Sequence, residues 1–185
     1  NCGSCDKSCA ERDFRASLRA GSSVKKVIGI VSGKGGVGKS LVTSLLANKV
    51  NKDGFRTAIL DADITGPSIA KTFGFEGEIY GDDKGIFPHV SKSGIKSISI
   101  NMMLESEETP VVWRGALLTS VISQFYSEVH WGELDYLLID MPPGTGDVAL
   151  TVFQQLPVDE VVMVTTPSKL VSMVVAKAIN MTEMV

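Results

Sequence analysis

An α/β fold, a mostly parallel sheet with helices on both faces, is predicted by three features of the 185-residue chain. Short apolar runs of strand length alternate with longer stretches in which apolar residues return every three or four positions. The first run, residues 27–31, leads directly into Gly33-Lys34-Gly35-Gly36-Val37-Gly38-Lys39-Ser40, a match to G-x-x-x-x-G-K-[ST] in the strand–loop–helix setting that a phosphate loop requires. Two later runs end in aspartate, at Asp61 and Asp140, as buried parallel strands do when they deliver acidic groups to the carboxyl edge of a sheet.

Composition bounds the answer. At 44% hydrophobic and 21% charged, the chain has the makeup of one main globular domain with a sizeable core. A net charge of -3 and a pI near 5.4 argue against a broad nucleic-acid-binding surface. No apolar run approaches the roughly 20 residues of a membrane span, and the polar, cysteine-bearing start is unlike a signal peptide. A cytoplasmic protein without a membrane or nucleic-acid partner is therefore expected. The first residue is Asn, and residues 181–185 still follow a helical pattern, so the chain is expected to be truncated at its C-terminus and cut at its start.

The elements follow in order. Cys2, Cys5 and Cys9, the three cysteines, all lie in the opening segment, and residues 11–19 are charged enough for a short helix. Gly21-Ser22-Ser23 reads as a flexible link. The expected division is a leader and linker over residues 1–23 and a domain over 24–185. After the phosphate loop, Val42, Leu45, Leu46 and Val50 recur at helical spacing and Gly54 supplies a stop, which predicts a helix over 39–52. A short strand over 57–60 runs into Asp61-Ala62-Asp63 and the turn formers Thr65-Gly66-Pro67. Residues 74–101, rich in Gly, Asp and Ser, read as an excursion with short strands at 86–87 and 95–100 around a Ser93-Gly94 turn. Leu117, Leu118, Val121, Ile122, Phe125 and Val129 predict a helix over about 115–130 packed on the sheet. A strand over 136–139 ends at Asp140, and the Pro142-Pro143 pair forces a loop through Asp147. A strand over 161–164 and a helix striped by Val171, Val174, Val175, Ala178 and Ile179 complete the pattern. Trp113, Phe125 and Trp131 are expected to cover the sheet, and His89 and His130 to have packing or surface roles.

These residues suit nucleoside triphosphate chemistry. The glycines let successive N–H groups turn toward phosphate oxygens, and the following helix aims its positive end at the same place. Gly33, Lys34, Gly35, Gly36, Val37, Gly38, Lys39 and Ser40 are the candidate phosphate contacts. Lys39 would reach the β and γ oxygens, and Ser40 would ligate Mg2+. Asp140 is the candidate metal-holding carboxylate, and Asp61 stands closer to the metal shell than Asp63, which would orient the attacking water. Two acids two residues apart on a strand are also able to face opposite ways. An ordinary phosphate loop has no need of Lys34. The run Lys34-Gly-Gly-Val-Gly-Lys39 resembles the deviant phosphate loop of the MinD/ParA/nitrogenase-iron-protein group, in which the first lysine crosses a dimer interface to the partner's nucleotide. The resemblance implies a nucleotide-sandwich dimer, with catalytic roles for Lys34, Lys39 and Asp63.

Within that group, Asp61-Ala-Asp-Ile-Thr-Gly-Pro-Ser68, Trp113-Arg-Gly and Leu138-Ile-Asp-Met-Pro-Pro-Gly-Thr-Gly-Asp147 resemble the Mrp/ApbC family of iron-sulfur cluster carrier ATPases, from about Lys25 onward. The resemblance implies ATP as nucleotide and slow, regulatory hydrolysis. It implies a homodimer or a heterodimer with a related ATPase, apo iron-sulfur proteins as recipients, and a γ-phosphate-sensing loop that includes Pro143 and Gly144. The family places a Cys-x-x-Cys pair beyond the point where this chain stops. The N-terminal Cys-x2-Cys-x3-Cys has the short spacing by which one segment wraps thiolates around a cubane. A [4Fe-4S] cluster wants four thiolates and Cys2, Cys5 and Cys9 offer three, so zinc and unligated thiols stay open as rivals. The other functional classes in view are a positioning ATPase that binds membrane or DNA, an electron carrier like the nitrogenase iron protein, and a nucleotide-stabilised scaffold without turnover.

Overall fold

The structure, a computed structural model, describes residues 15–64, 68–75, 79–82, 85–103, 115–144 and 147–166. Strand β1 (Ser23–Ser32) starts earlier than the apolar run, and only from Val27 onward is it buried. Helix α1 (Lys39–Lys52) follows, then β2 (Thr57–Asp61), buried throughout, and a six-residue helix α2 (Ser68–Phe73). The excursion holds β3 (Tyr80–Asp82), β4 (Gly85–Phe87), β5 (His89–Val90) and β6 (Lys96–Ser99), with a 3-10 turn at Ile100–Met103. Helix α3 (Gly115–Glu128), strand β7 (Glu133–Asp140), helix α4 (Asp147–Gln155) and strand β8 (Glu160–Val164) complete the described chain.

Six strands form one sheet in the order β5-β6-β2-β7-β1-β8, parallel except for the short β5, while β3 and β4 make a separate antiparallel ribbon. The two strands expected in the excursion thus belong to different sheets. Side chains alternate along each strand, so Leu137 and Ile139 enter a core with Phe125, Trp131 and Phe153, whereas Leu138 enters another with Ile28, Ile59 and Ala47. Helices α3 and α4 cover the first face and α1 and α2 the second, which is why the central strands are apolar on both sides. Gly29 admits this packing: a β-carbon there would stand 3.2 Å from the Phe153 ring.

Several expectations are corrected. Helix α1 forms where predicted but buries Lys39, Thr43, Ser44 and Ala47, leaving Leu45 60% exposed, because the phosphate loop sets the rotation of the helix. Leu117 is likewise exposed at the start of α3. Helices α2 and α4 are additional. Each is too short for its periodicity to stand out, although Ala149, Val152, Phe153 and Leu156 are spaced for an inward face. Residues 15–19 carry no helix. They run along the helix layer, with the Ala16 amide donating to the Gln155 carbonyl at 2.6 Å and the Arg19 amide to that of Ser127 at 3.0 Å. The expected flexible link is also tied down, since the Ser23 amide bonds the Gly132 carbonyl at 2.9 Å. Phe125 and Trp131 are buried against the sheet as expected, and the His130 ring stacks on Phe87 at 4.5 Å. Trp113, the Thr65-Gly66-Pro67 turn and the helix expected around 171–179 lie outside the described residues.

Candidate functional site

Three strand ends and one helix start meet at the carboxyl edge of the sheet. Asp61 on β2 and Asp140 on β7 are register partners, and Ser99 on β6 pairs with Asp61 from the other side. Beside them the loop after β1 turns through Gly36 and Gly38, whose φ values of 76° and 92° favour glycine. Gly38 caps α1 without a side-chain hydrogen bond, and the first turn of the helix holds no acidic residue. The first-turn amides are therefore open to an anion.

The buried charges are arranged around Lys39, which is 5% exposed. Its Nζ stands 2.9 Å from Asp140 Oδ1 and 3.1 Å from Asp63 Oδ2. Asp140 Oδ2 accepts from Ser40 Oγ at 2.5 Å, and Asp140 Oδ1 from Thr43 Oγ1 at 2.8 Å. Asp61 lies deeper. Its Oδ2 accepts from Ser99 Oγ at 2.9 Å and its Oδ1 from the Asp63 amide at 3.1 Å. Burial pushes the Asp61 carboxyl up to about 8, with the Asp140 charge adding to the rise and the two hydrogen bonds opposing it. Because β2 ends at Asp61, strand alternation does not govern Asp63, and its carboxylate reaches the lysine while Asp61 stays behind.

A cavity of about 400 Å3 opens over this cluster, lined among others by Gly36, Lys39, Ser40, Asp63, Ser68 and Pro143. A β-carbon at Gly35, Gly36 or Gly38 would meet nothing within 4 Å, so the loop borders open space that phosphate oxygens can fill. The donor set fits a nucleotide with Mg2+: uncapped amides and a lysine for phosphate, a hydroxyl and a carboxylate already in contact for the metal. Among the described residues no group of three or more His, Cys, Asp or Glu forms a ready-made metal cage. Mg2+ needs none, since one or two carboxylates with phosphate and water ordinarily suffice.

The expected residues divide into three groups. Lys39, Ser40, Asp63, Asp140 and Pro143 come together, with Asp61 directly behind. Gly144 joins the rim, its amide donating to the Ser32 carbonyl at 2.8 Å and its φ at 98°. Gly33 and Val37 are half-buried in the loop, and Lys34 is exposed. Cys2, Cys5 and Cys9 lie outside the described residues. Sequence reasoning missed Thr43, Ser99 and Asn101. Thr43 was within reach, because it follows Lys39 by four positions and so shares its helix face. Ser99 was not, since its place beside Asp61 depends on strand register. No helix among the described residues is long and apolar enough to cross a membrane.

Residues 23–185 match the model of a ParA-type family described as NUBPL iron-transfer P-loop NTPase. An iron-sulfur cluster carrier protein of Clostridium perfringens is 48% identical over 166 residues, covering 85% of this chain and 58% of that protein. One of Saccharolobus solfataricus is 51% identical over 159 residues, covering 85% and 54%. A nucleotide-binding protein of Archaeoglobus fulgidus, solved in complex with ADP, aligns with a TM-score of 0.76 at 46% identity, covering 87% of this chain and 62% of that one. The chain thus spans little more than half the length of the curated relatives it matches.

Proposed function

Since the chain belongs to the family of NUBPL iron-transfer P-loop NTPases, we propose that it binds ATP with Mg2+, hydrolyses it slowly, and couples nucleotide state to the holding and delivery of an iron-sulfur cluster. The observation that carries the nucleotide half is the contact of half-buried Ser40 and buried Lys39 with buried Asp140 beneath an open glycine loop. The cargo half rests on the names of the relatives and on Cys2, Cys5 and Cys9.

In this reading Lys39 leaves its two carboxylates to meet the β and γ phosphate oxygens, and the freed Asp63 orients a water in line with the γ phosphorus. Mg2+, held through Ser40 and Asp140, would neutralise charge on the departing phosphoryl group. The water adds to phosphorus as the bond to the ADP oxygen breaks, and its proton passes by way of Asp63 to solvent. Lys34, exposed here, serves a second subunit's nucleotide as a cation supplied in trans. Pro143 and Gly144 sense the γ phosphate, and its loss relaxes their loop. A [4Fe-4S] cluster is the proposed cargo and apo iron-sulfur proteins are the recipients, with the cytoplasm as the setting.

Anaerobic reconstitution of the protein with iron and sulfide tests the cargo half. Visible absorbance, bound iron and transfer to an apoprotein are expected in the native protein and should fall in Cys2→Ala, Cys5→Ala and Cys9→Ala. Unchanged iron binding in all three would remove the leader as the cluster site. For the lysine, subunits carrying Lys34→Ala and Asp63→Asn should recover hydrolysis when mixed, and absence of recovery returns Lys34 to a local role.

A further inference from the structure

Asp63 follows the end of β2, so the sheet ladder does not hold it, yet its carboxylate has to stand at one place in the cavity. Two hydrogen bonds grip its backbone. Its amide donates to Asp61 Oδ1 at 3.1 Å, and its carbonyl accepts from Asn101 Nδ2 at 2.7 Å. Asn101 is itself anchored: its amide donates to Ser99 Oγ at 3.3 Å, and that hydroxyl donates to the buried Asp61 Oδ2 at 2.9 Å. Asp61, Asp63, Ser99 and Asn101 therefore close a ring of hydrogen bonds across the ends of β2 and β6. Asp61 in turn sits in register with Asp140.

We infer that Asn101 is a positioning residue for Asp63: by donating to its carbonyl, it fixes where that carboxylate stands relative to Lys39 and the γ phosphate. The inference rests on the water-orienting role of Asp63 given above. Asparagine suits the task because its amide is a fixed donor at short reach, whereas an ionised aspartate of the same shape offers the carbonyl no proton. Misplacing a reacting group by about 1 Å costs up to about 100-fold in rate, so a lost hold here should appear in turnover and leave nucleotide binding alone.

The test compares native protein, Asn101→Ala and the isosteric Asn101→Asp, each alone and combined with Asp63→Asn. The expected result is a kcat for ATP hydrolysis lower by about 10-fold or more in both Asn101 variants, with ATP affinity within about 2-fold of native. In the Asp63→Asn background the further loss should vanish, because a residue that acts through Asp63 has nothing left to position. Deuterium uptake by the amides of residues 61–64 should rise in both variants while uptake in β1 and α1 stays put. Equal losses with and without Asp63 would overturn the proposal, as would native kcat or native uptake at 61–64. If the native protein itself showed no hydrolysis, the proposed function would fall, and the uptake comparison would still decide whether Asn101 holds this segment. Should Asn101→Ala fail to fold, Asn101→Asp carries the same comparison.

Discussion

At the carboxyl end of the sheet the Lys39, Asp63 and Asp140 side chains are 5%, 12% and 0% exposed, whereas at the amino end those of Lys25 and Arg56 are 73% and 50% exposed around an Asp135 at 13%. The ion-pair distances barely differ: 2.9 Å for Lys39–Asp140 and 2.8 Å for Lys25–Asp135. Distance is therefore a poor guide to what a pair does. The pairs at the amino end keep their cations in water, so they gain little and are screened by salt. The buried cluster has lost its water, so each charge there depends on its neighbours, and removing one leaves the rest uncompensated. Such a cluster is poised for a ligand that brings charges of its own.

The largest effect should come from Asp140→Ala. It leaves Lys39 with Asp63 alone, strips the Ser40 hydroxyl of its acceptor and leaves Thr43 only the Lys39 carbonyl, so urea unfolding of the nucleotide-free protein should show a loss of about 3–5 kcal/mol. A loss below about 1 kcal/mol would mean that the two ends of the sheet behave alike.

An intermediate effect, visible in pH dependence, belongs to Asp61. Its folded pKa of about 8 lies above the ordinary 3.8, so the folded chain keeps a proton that the unfolded chain releases between those values. The stability this group contributes is fully present below about pH 4 and is lost as pH rises toward about 8. Asp61→Asn has no proton to lose, so its stability relative to native should climb across that window and level off above it. Parallel pH profiles for the two proteins would show that Asp61 is not the titrating group.

The smallest effect is expected from Lys25→Ala. Lys25 does most to hold the Asp135 carboxyl below the usual carboxylate range, with the Arg56 amide and guanidinium assisting. That stabilisation is present above the ordinary carboxylate pKa and lost as pH falls below it. At neutral pH the change in unfolding midpoint should be the least of the three and should shrink further in about 1 M salt. A shift that persists in salt would put the amino end in the same class as the buried cluster.

Much of the candidate site's placement was legible. Lys39, Ser40, Asp63 and Asp140 were readable because a phosphate loop and the ends of apolar strands have local signatures. Helix α1 was readable as a helix, yet its buried face was not, because Lys39 and Thr43 turn toward Asp140 and override the apolar stripe. Helices α2 and α4 were too brief to show a period. The packed course of residues 15–22 could not be read, since its partners at Ser127, Gly132 and Gln155 are more than 100 positions away.

Local chemistry by itself determined the alternation of strands and helices, the phosphate loop and the acids at the strand ends. The tertiary structure alone decided that Asp61 lies behind Asp63, between Ser99 and Asp140, and that Asn101 reaches the Asp63 carbonyl. The physical reason is register: which residues meet across neighbouring parallel strands depends on how helices from distant parts of the chain pack on the two faces, and no short stretch encodes it.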